Sequence, residues 1–230
     1  MKTTITALLL CITTLSGWTQ EANPAIDGLL AKMNTVKDYS VEALITSDIP
    51  MVKILPSRAT IYFKQKDKFK IDSKGIAILP KQGFTDIAKL LADKNSYTAV
   101  TMGSETIAGA KAEIVSVFPV SDTSDLVLAK LWIDTNRDII LKSQITTRSS
   151  GMVTIAYTYG NQVKWGLPDR MIFTVDVKKF KIPKGVATDI NRTITPDPDK
   201  PVAKTGQVKI ELTGYKVNLG IRDEVFSKRF

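Results

Sequence analysis

The chain has 230 residues, 43% hydrophobic and 24% charged, and 32 basic against 23 acidic side chains leave a formal net charge of +9. These are globular proportions, and the length suits one domain that buries its own core, which argues against disorder across the whole chain. Histidine is absent and Cys11 is the single cysteine, so histidine-dependent triads, a disulfide framework and a cysteine-rich metal centre are all excluded.

Residues 1–20 read as a signal peptide. Lys2 supplies the positive end, and the stretch from Ile5 to Leu15 is uncharged, apolar and too short to span a bilayer. Cleavage is expected between residues 17 and 22. Cys11 raises lipid attachment as a rival, but Leu10 before it is too bulky for that signal. An exported, soluble, periplasmic protein is therefore favoured over a membrane-anchored lipoprotein. The remaining chain, 21–230, is expected to be one domain, with 31 basic against 23 acidic residues once Lys2 is removed.

Asn23-Pro24 marks a helix start: a capping side chain, then proline where its missing N–H does no harm. Ile26, Leu29, Leu30, Met33 and Val36 follow at helical spacing as far as Lys37. After Asp38 the period changes to two. Tyr39 to Thr46 predicts a strand, and Ala59 to Phe63 with Lys68 to Asp72 predicts a hairpin around Gln65-Lys66-Asp67. Gln82 to Lys94 returns to helical spacing with Phe84, Ile87, Leu90 and Leu91. Tyr97 to Met102 and Ile107 to Phe118 are read as strands flanking a turn at Gly103-Ser104. Leu126 to Asp134 and Ile139 to Arg148 flank Thr135-Asn136-Arg137. Alternation then recurs at Val153 to Tyr159, Met171 to Val177, Val208 to Leu212 and Tyr215 to Leu219. Pro183 to Gly206 is a long loop with Pro196, Pro198 and Pro201, too proline-rich for helix or central strand.

Nine or ten strands with short connections imply an antiparallel meander. Two short helices cannot cover both faces of so long a sheet, and such a sheet curls. The expected architecture is mainly β: a strongly curved antiparallel sheet forming a half-open, unclosed barrel. An N-terminal helix and a short helical lid lie on its concave side.

Motifs for catalysis are missing. There is no Gly-x-Ser-x-Gly, Ser-x-x-Lys, Walker loop or Gly-x-Gly-x-x-Gly. Asp134 and Asp138 form the nearest carboxylate pair, but they bracket a turn, where aspartate is favoured for local hydrogen bonding. Asp197 and Asp199 lack the glycine and distal glutamate of a calcium loop. The chain is expected not to be an enzyme and to use no cofactor or metal. Lys64, Lys66 and Lys68 crowd one hairpin, and Lys178, Lys179 and Lys181 form a second basic cluster. Such lysines guard a sheet edge or face an anionic membrane or acidic partner; an export signal argues against nucleic acid. The apolar helical faces are either core or the wall of a cavity.

Three stretches together resemble a known family. Val36-Lys37-Asp38-Tyr39-Ser40 leads from the helix into the first strand. Leu131-Trp132-Ile133-Asp134, a polar turn and Ile140-Leu141-Lys142-Ser143 form a central hairpin. Tyr215-Lys216-Val217-Asn218-Leu219-Gly220-Ile221, then Asp223 and Phe226, closes the chain. In this order the elements resemble the LolA/LolB-type periplasmic lipoprotein carriers, in particular LolA-like proteins of Bacteroidetes-type bacteria. The resemblance implies an eleven-stranded unclosed barrel with a helical lid over a hydrophobic cavity. It implies a monomer that carries acyl chains of lipoproteins or other lipids between membrane-associated donor and acceptor proteins. The cavity wall would then fall to Leu29, Leu30, Met33, Phe84, Ile87, Leu90 and Leu91, with Tyr157 and Phe173 from the strands. Against the family pattern, the helical insertion is short, the proline-rich loop is long, and Arg58 is the nearest match in place to a lid-locking arginine. A non-carrying module on the same fold that senses lipids or binds a protein is the alternative.

Overall fold

The structure, a computed structural model, describes residues 23–49, 55–66, 68–73, 86–149, 151–176 and 205–227. The signal segment, Phe84, Lys178, Lys179, Lys181 and the proline-rich stretch up to residue 204 lie outside the described residues.

Helix α1 (Pro24–Asn34) starts where the sequence places it. Asn23 accepts the Ile26 N–H on its side-chain oxygen at 3.2 Å, and Pro24 occupies the first helical position. Ala25, Ile26 and Leu29 bury one face. The helix ends three residues before Lys37, because the chain must turn there to enter the first strand. Thr35 closes the last turn by donating from its hydroxyl to the Lys32 carbonyl at 2.7 Å.

Ten strands follow among the described residues: β1 (Asp38–Asp48), β2 (Ser57–Lys64), β3 (Lys68–Ser73), β4 (Tyr97–Ile107), β5 (Ala110–Pro119), β6 (Leu126–Asp134), β7 (Ile139–Thr147), β8 (Gly151–Thr158), β9 (Arg170–Asp176) and β10 (Thr205–Val217). Helix α2 (Asp86–Ala92) and a 3-10 turn (Lys94–Ser96) precede β4, and a short helix α3 (Glu224–Ser227) ends the description. The strands make one sheet in the order β3-β2-β1-β10-β9-β8-β7-β6-β5-β4. Every described pairing is antiparallel. β3 and β4 are opposite edges that do not meet, so the barrel is unclosed, as expected.

That order explains where the helices lie. β3 and β4 are consecutive in sequence yet sit at opposite edges, and α2 belongs to the connection between them. Its Ile87 and Leu91 pack into the same core as Ile26 and Leu29 of α1. The strands present one face to that core through alternate residues: Val41, Ala43 and Ile45; Leu131 and Ile133; Val153 and Ile155; Met171, Phe173 and Val175; Val208, Ile210 and Leu212. Trp132 points the other way. Its indole N–H donates to Glu105 at 2.6 Å, and the Lys142 ammonium lies 4.2 Å from the ring centre.

Two expected boundaries are corrected. The first strand of the β4–β5 hairpin does not end at Gly103-Ser104. β4 runs through it with a bulge at Met102, where Gly103 adopts φ 121°. The reversal comes at Ala108-Gly109, both with positive φ (48° and 81°), which matches the twist of a two-residue hairpin turn. Likewise, Val208 to Leu212 and Tyr215 to Val217 are one strand. Between Ser40 and Glu42, β1 contributes one residue while β10 contributes Gly214 and Tyr215. Gly214, at φ 66°, takes the left-handed position of this bulge. The extra residue flips the alternation, so Leu212 and Tyr215 both face inward.

The C-terminal segment straps one edge. Asn218 accepts the Lys37 N–H at 2.7 Å and donates to the Thr35 carbonyl at 2.9 Å. The buried Asp38 carboxylate accepts the Gly220 N–H. Asp223 pairs with Lys64 at 2.6 Å and Lys68 at 2.7 Å, and Lys70 donates to the Val225 carbonyl at 2.9 Å.

Candidate functional site

A cavity of about 220 Å³ opens on the concave face beneath α1. Leu29, Lys32, Met33 and Val36 line it from the helix side. Ile155, Tyr157, Met171 and Phe173 form the floor from β8 and β9, and Ile140 joins from β7. Tyr39, Phe63 and Phe69 close one side, with Tyr39 stacked on Phe63 at 5.2 Å and tilted against Tyr215 at 5.8 Å. Trp165, Gly166, Leu167 and Pro168 close the other, from the loop around the 3-10 turn Val163–Trp165.

The wall is apolar with a few polar tips. Tyr157 and Ser143 share a hydrogen bond at 3.1 Å, and Tyr159 donates to the Ile140 carbonyl at 2.8 Å. Tyr215 donates to the Pro168 carbonyl at 2.7 Å, holding the loop against β10. The Tyr39 hydroxyl has no hydrogen-bond partner among the described residues. Burial pushes the phenols of Tyr39 and Tyr157 from about 10 to about 12, because an ionised ring oxygen is disfavoured away from water. Tyr159 and Tyr215 are raised further for the same main reason. All four stay neutral at ordinary pH. Lys32 and Asp138 are the two charged side chains among the described lining residues.

The β6–β7 turn presses on α1 at this rim. The buried Asp134 shapes the turn, its carboxylate accepting the N–H groups of Asn136 and Arg137 and the Arg137 Nε–H. Asp138 follows at φ 52°. A Cβ on Gly28 would stand 2.4 Å from the Asp138 Oδ1, so a larger residue here would require the Asp138 carboxylate to turn aside. One turn further along α1, Lys32 donates from its ammonium to the Arg137 carbonyl. Its stem lies 3.3 Å from where a Cβ on Gly166 would be. Asp134 thus shapes the turn, and Asp138 lies against the helix at Gly28.

Of the expected wall residues, Leu29, Met33, Ile87, Tyr157 and Phe173 line the cavity. Three expectations are corrected. Leu91 is wholly buried in the core, while Leu30 and Leu90 pack against that core, half-buried. Helical spacing selects a face of about 100° or more, and residues one step round that face meet packed core rather than the hollow. Phe84 lies outside the described residues. In the basic patch, Lys64 and Lys68 are tied to Asp223, whose carboxyl these two ammonium groups hold down at about 2, and Lys66 sits in the β2–β3 turn at φ 69°. The hairpin therefore presents less free positive charge than its sequence suggests.

Sequence reading missed the aromatic side, Tyr39, Phe63 and Phe69, and the loop side, Trp165 to Pro168. The first hides in ordinary strand alternation. The second carried a signal, because a tryptophan followed by leucine and proline in a connection between strands needs an apolar surface to lie on.

A curved, unclosed antiparallel sheet with helices over a hollow concave face defines a LolA-like fold. Solved structures with this fold include a LolA superfamily protein from Nitrosomonas europaea (TM-score 0.57, 13% identity, 88% of this chain and 97% of that one). A putative outer membrane lipoprotein-sorting protein domain from Vibrio parahaemolyticus has TM-score 0.57 and 8% identity, covering 87% of this chain and 95% of that one. A DUF1329 family protein from Desulfovibrio piger has TM-score 0.54 and 11% identity, covering 88% and 95%. No curated protein is detectably similar in sequence. Residues 39–159, more than half of the chain, match the MucB/RseB N-terminal domain, and the chain belongs to that family. The fold expected from the LolA/LolB resemblance is present, and the family is the MucB/RseB N-terminal domain.

Proposed function

We propose that this chain is an exported, periplasmic lipid-binding protein that carries acyl chains of a lipoprotein or another lipid in the cavity beneath α1. The observation that carries this reading is the apolar hollow itself, about 220 Å³ between helix and sheet. Natural cores leave few voids larger than a water molecule, whereas an apolar cavity of about 150 Å³ already takes up benzene. The wall is built for alkyl chains: Leu29, Met33, Ile140 and Phe173 supply dry surface, and the buried phenols remain uncharged. Each methylene moved from water into such a site gains about 0.8 kcal/mol. Pockets for larger ligands run to roughly 300–1,000 Å³, so a long chain fills the site only as α1 moves away from the sheet.

The sequence names of two fold relatives, a LolA superfamily protein and a putative lipoprotein-sorting domain, support this reading at the level of fold. The test is displacement of a fluorescent fatty acid from the full chain. Met33→Glu places a charge on the half-buried wall and is expected to fold yet lose lipid by at least tenfold. A folded Met33→Glu protein that binds as well as the parent overturns the assignment. Transfer of lipid between donor and acceptor vesicles separates a carrier from a module that only senses its ligand.

A further inference from the structure

Among the described residues that line the cavity Lys32 is the one cation, and it is under-used. Lys32 carries three N–H donors, and its ammonium makes one hydrogen bond among the described residues, to the Arg137 carbonyl. Its stem is seated beside Gly166, which adopts φ 67° as the left-handed cap of the 3-10 turn and leaves room for it. A side chain with its stem packed and its head at the rim is placed, not loose. Below it the wall is alkyl and aromatic through Leu29, Met33 and Tyr157. A single fixed cation above a dry hollow complements a molecule with an anionic head and an apolar tail.

We infer that the ligand of this cavity is a single-chain anionic amphiphile, whose carboxylate or phosphate head is held by Lys32 while its chain lies along α1. This rests on the lipid-binding reading and narrows it to a ligand class. The head takes the donors that the Arg137 carbonyl leaves over, and an ammonium–oxyanion hydrogen bond is stronger than its neutral counterpart. Asp138 stands at the same rim and makes no ion pair or hydrogen bond with a described residue. It opposes a negative head, so the two charges act with opposite sign on the same ligand.

The experiment uses the full chain loaded with the neutral dye N-phenylnaphthylamine, displaced in turn by dodecanoate, dodecyl phosphate, dodecanol and dodecylphosphocholine. Dodecanoate or dodecyl phosphate is expected to bind about tenfold tighter than dodecanol, and whichever is tighter identifies the head. Added salt should weaken the anions and leave dodecanol unchanged. Lys32→Met should remove the preference for the anions over dodecanol, Lys32→Arg should keep it, and Asp138→Asn should raise anion affinity severalfold. Equal binding of dodecanol and the anions overturns the inference and leaves the cavity reading intact. So does a preference that survives in Lys32→Met, or tightest binding by the zwitterionic dodecylphosphocholine. Failure of all four to displace the dye overturns the lipid-binding reading as well. If Lys32→Met does not fold, the salt dependence of the parent decides alone: anion binding that salt does not weaken overturns the inference.

Discussion

The two halves of the concave face are built differently. Across β5 and β6 it is solid: Val115, Val117, Ala129, Leu131 and Ile133 are all 0% exposed, as is Leu91 of α2. Beneath Leu29 to Val36 of the α1 side it holds a hollow, whose lining is rich in rings: Tyr39, Phe63, Phe69, Tyr157, Tyr159 and Phe173. Branched aliphatic side chains interdigitate to crystal-like density. Planar rings stand as rigid plates with few rotamers, and two of them, Tyr157 and Tyr159, are also pinned at their hydroxyls to Ser143 and the Ile140 carbonyl. One half of the sheet stabilises the molecule, and the other keeps space open that the first half's packing makes affordable.

Substitutions on the two halves should therefore behave differently. The largest effect is expected from Leu131→Ala, at about 2–5 kcal/mol of stability lost, with dye binding by the folded protein unchanged. Met33→Ala on the hollow side should cost about 1 kcal/mol or less, because the site is already incompletely packed, while weakening lipid binding. Urea unfolding measures both, and equal losses would remove the distinction between solid and hollow halves.

Alkali should strike the hollow half. The folded state holds the protons of Tyr39 and Tyr157 up to about pH 12, while the unfolded chain releases them near 10. Between these values the folded protein binds more protons, so stability is intact below about pH 10 and falls as pH rises, by up to about 1.4 kcal/mol per pH unit for each tyrosine. Tyr39→Phe and Tyr157→Phe should each flatten that fall in thermal melts from pH 9 to 12. An unchanged slope would mean that these phenols are not shielded as the structure places them.

Gly28→Ala makes the Asp138 carboxylate turn aside, which offsets the gain of about 1 kcal/mol that alanine has over glycine inside a helix, so stability should change little. With Asp138→Ala added the clash is gone, and the pair should be more stable than Asp138→Ala alone. The smallest effect is expected at the strapped edge. Asp223→Asn removes two exposed ion pairs, which water screens so that little stability is lost. What that strap contributes should fade in high salt, and also as pH falls toward 2, where the Asp223 carboxyl gains its proton. A large loss there would place the strap among the main supports of the aromatic wall.

Much of this architecture is written locally. Asn23-Pro24 starts α1, alternation marks the strands, and Thr135-Asn136-Arg137 turns β6 into β7. The curl of the sheet follows from having too many strands for too few helices. The misreadings arise where one residue has two possible uses. Gly103 serves a bulge as readily as a turn. Gly214 lets a single strand change phase, which in sequence looks like two strands. Leu29, Leu30 and Leu91 are alike as apolar helical residues.

Periodicity tells which side of an element avoids water, since it depends on neighbours a few residues away. It cannot tell whether the space facing that side is filled. Met33 meets a hollow and Leu91 a packed core, because each outcome is set by side chains from strands distant in the chain, such as Ile155 and Phe173 beside Met33, brought together when β10 pairs with β1. The amino-acid order thus prescribes elements and their apolar faces, through local sterics and burial. The cavity, its cation at Lys32 and the close approach of Gly28 to Asp138 exist only as long-range fits between those faces.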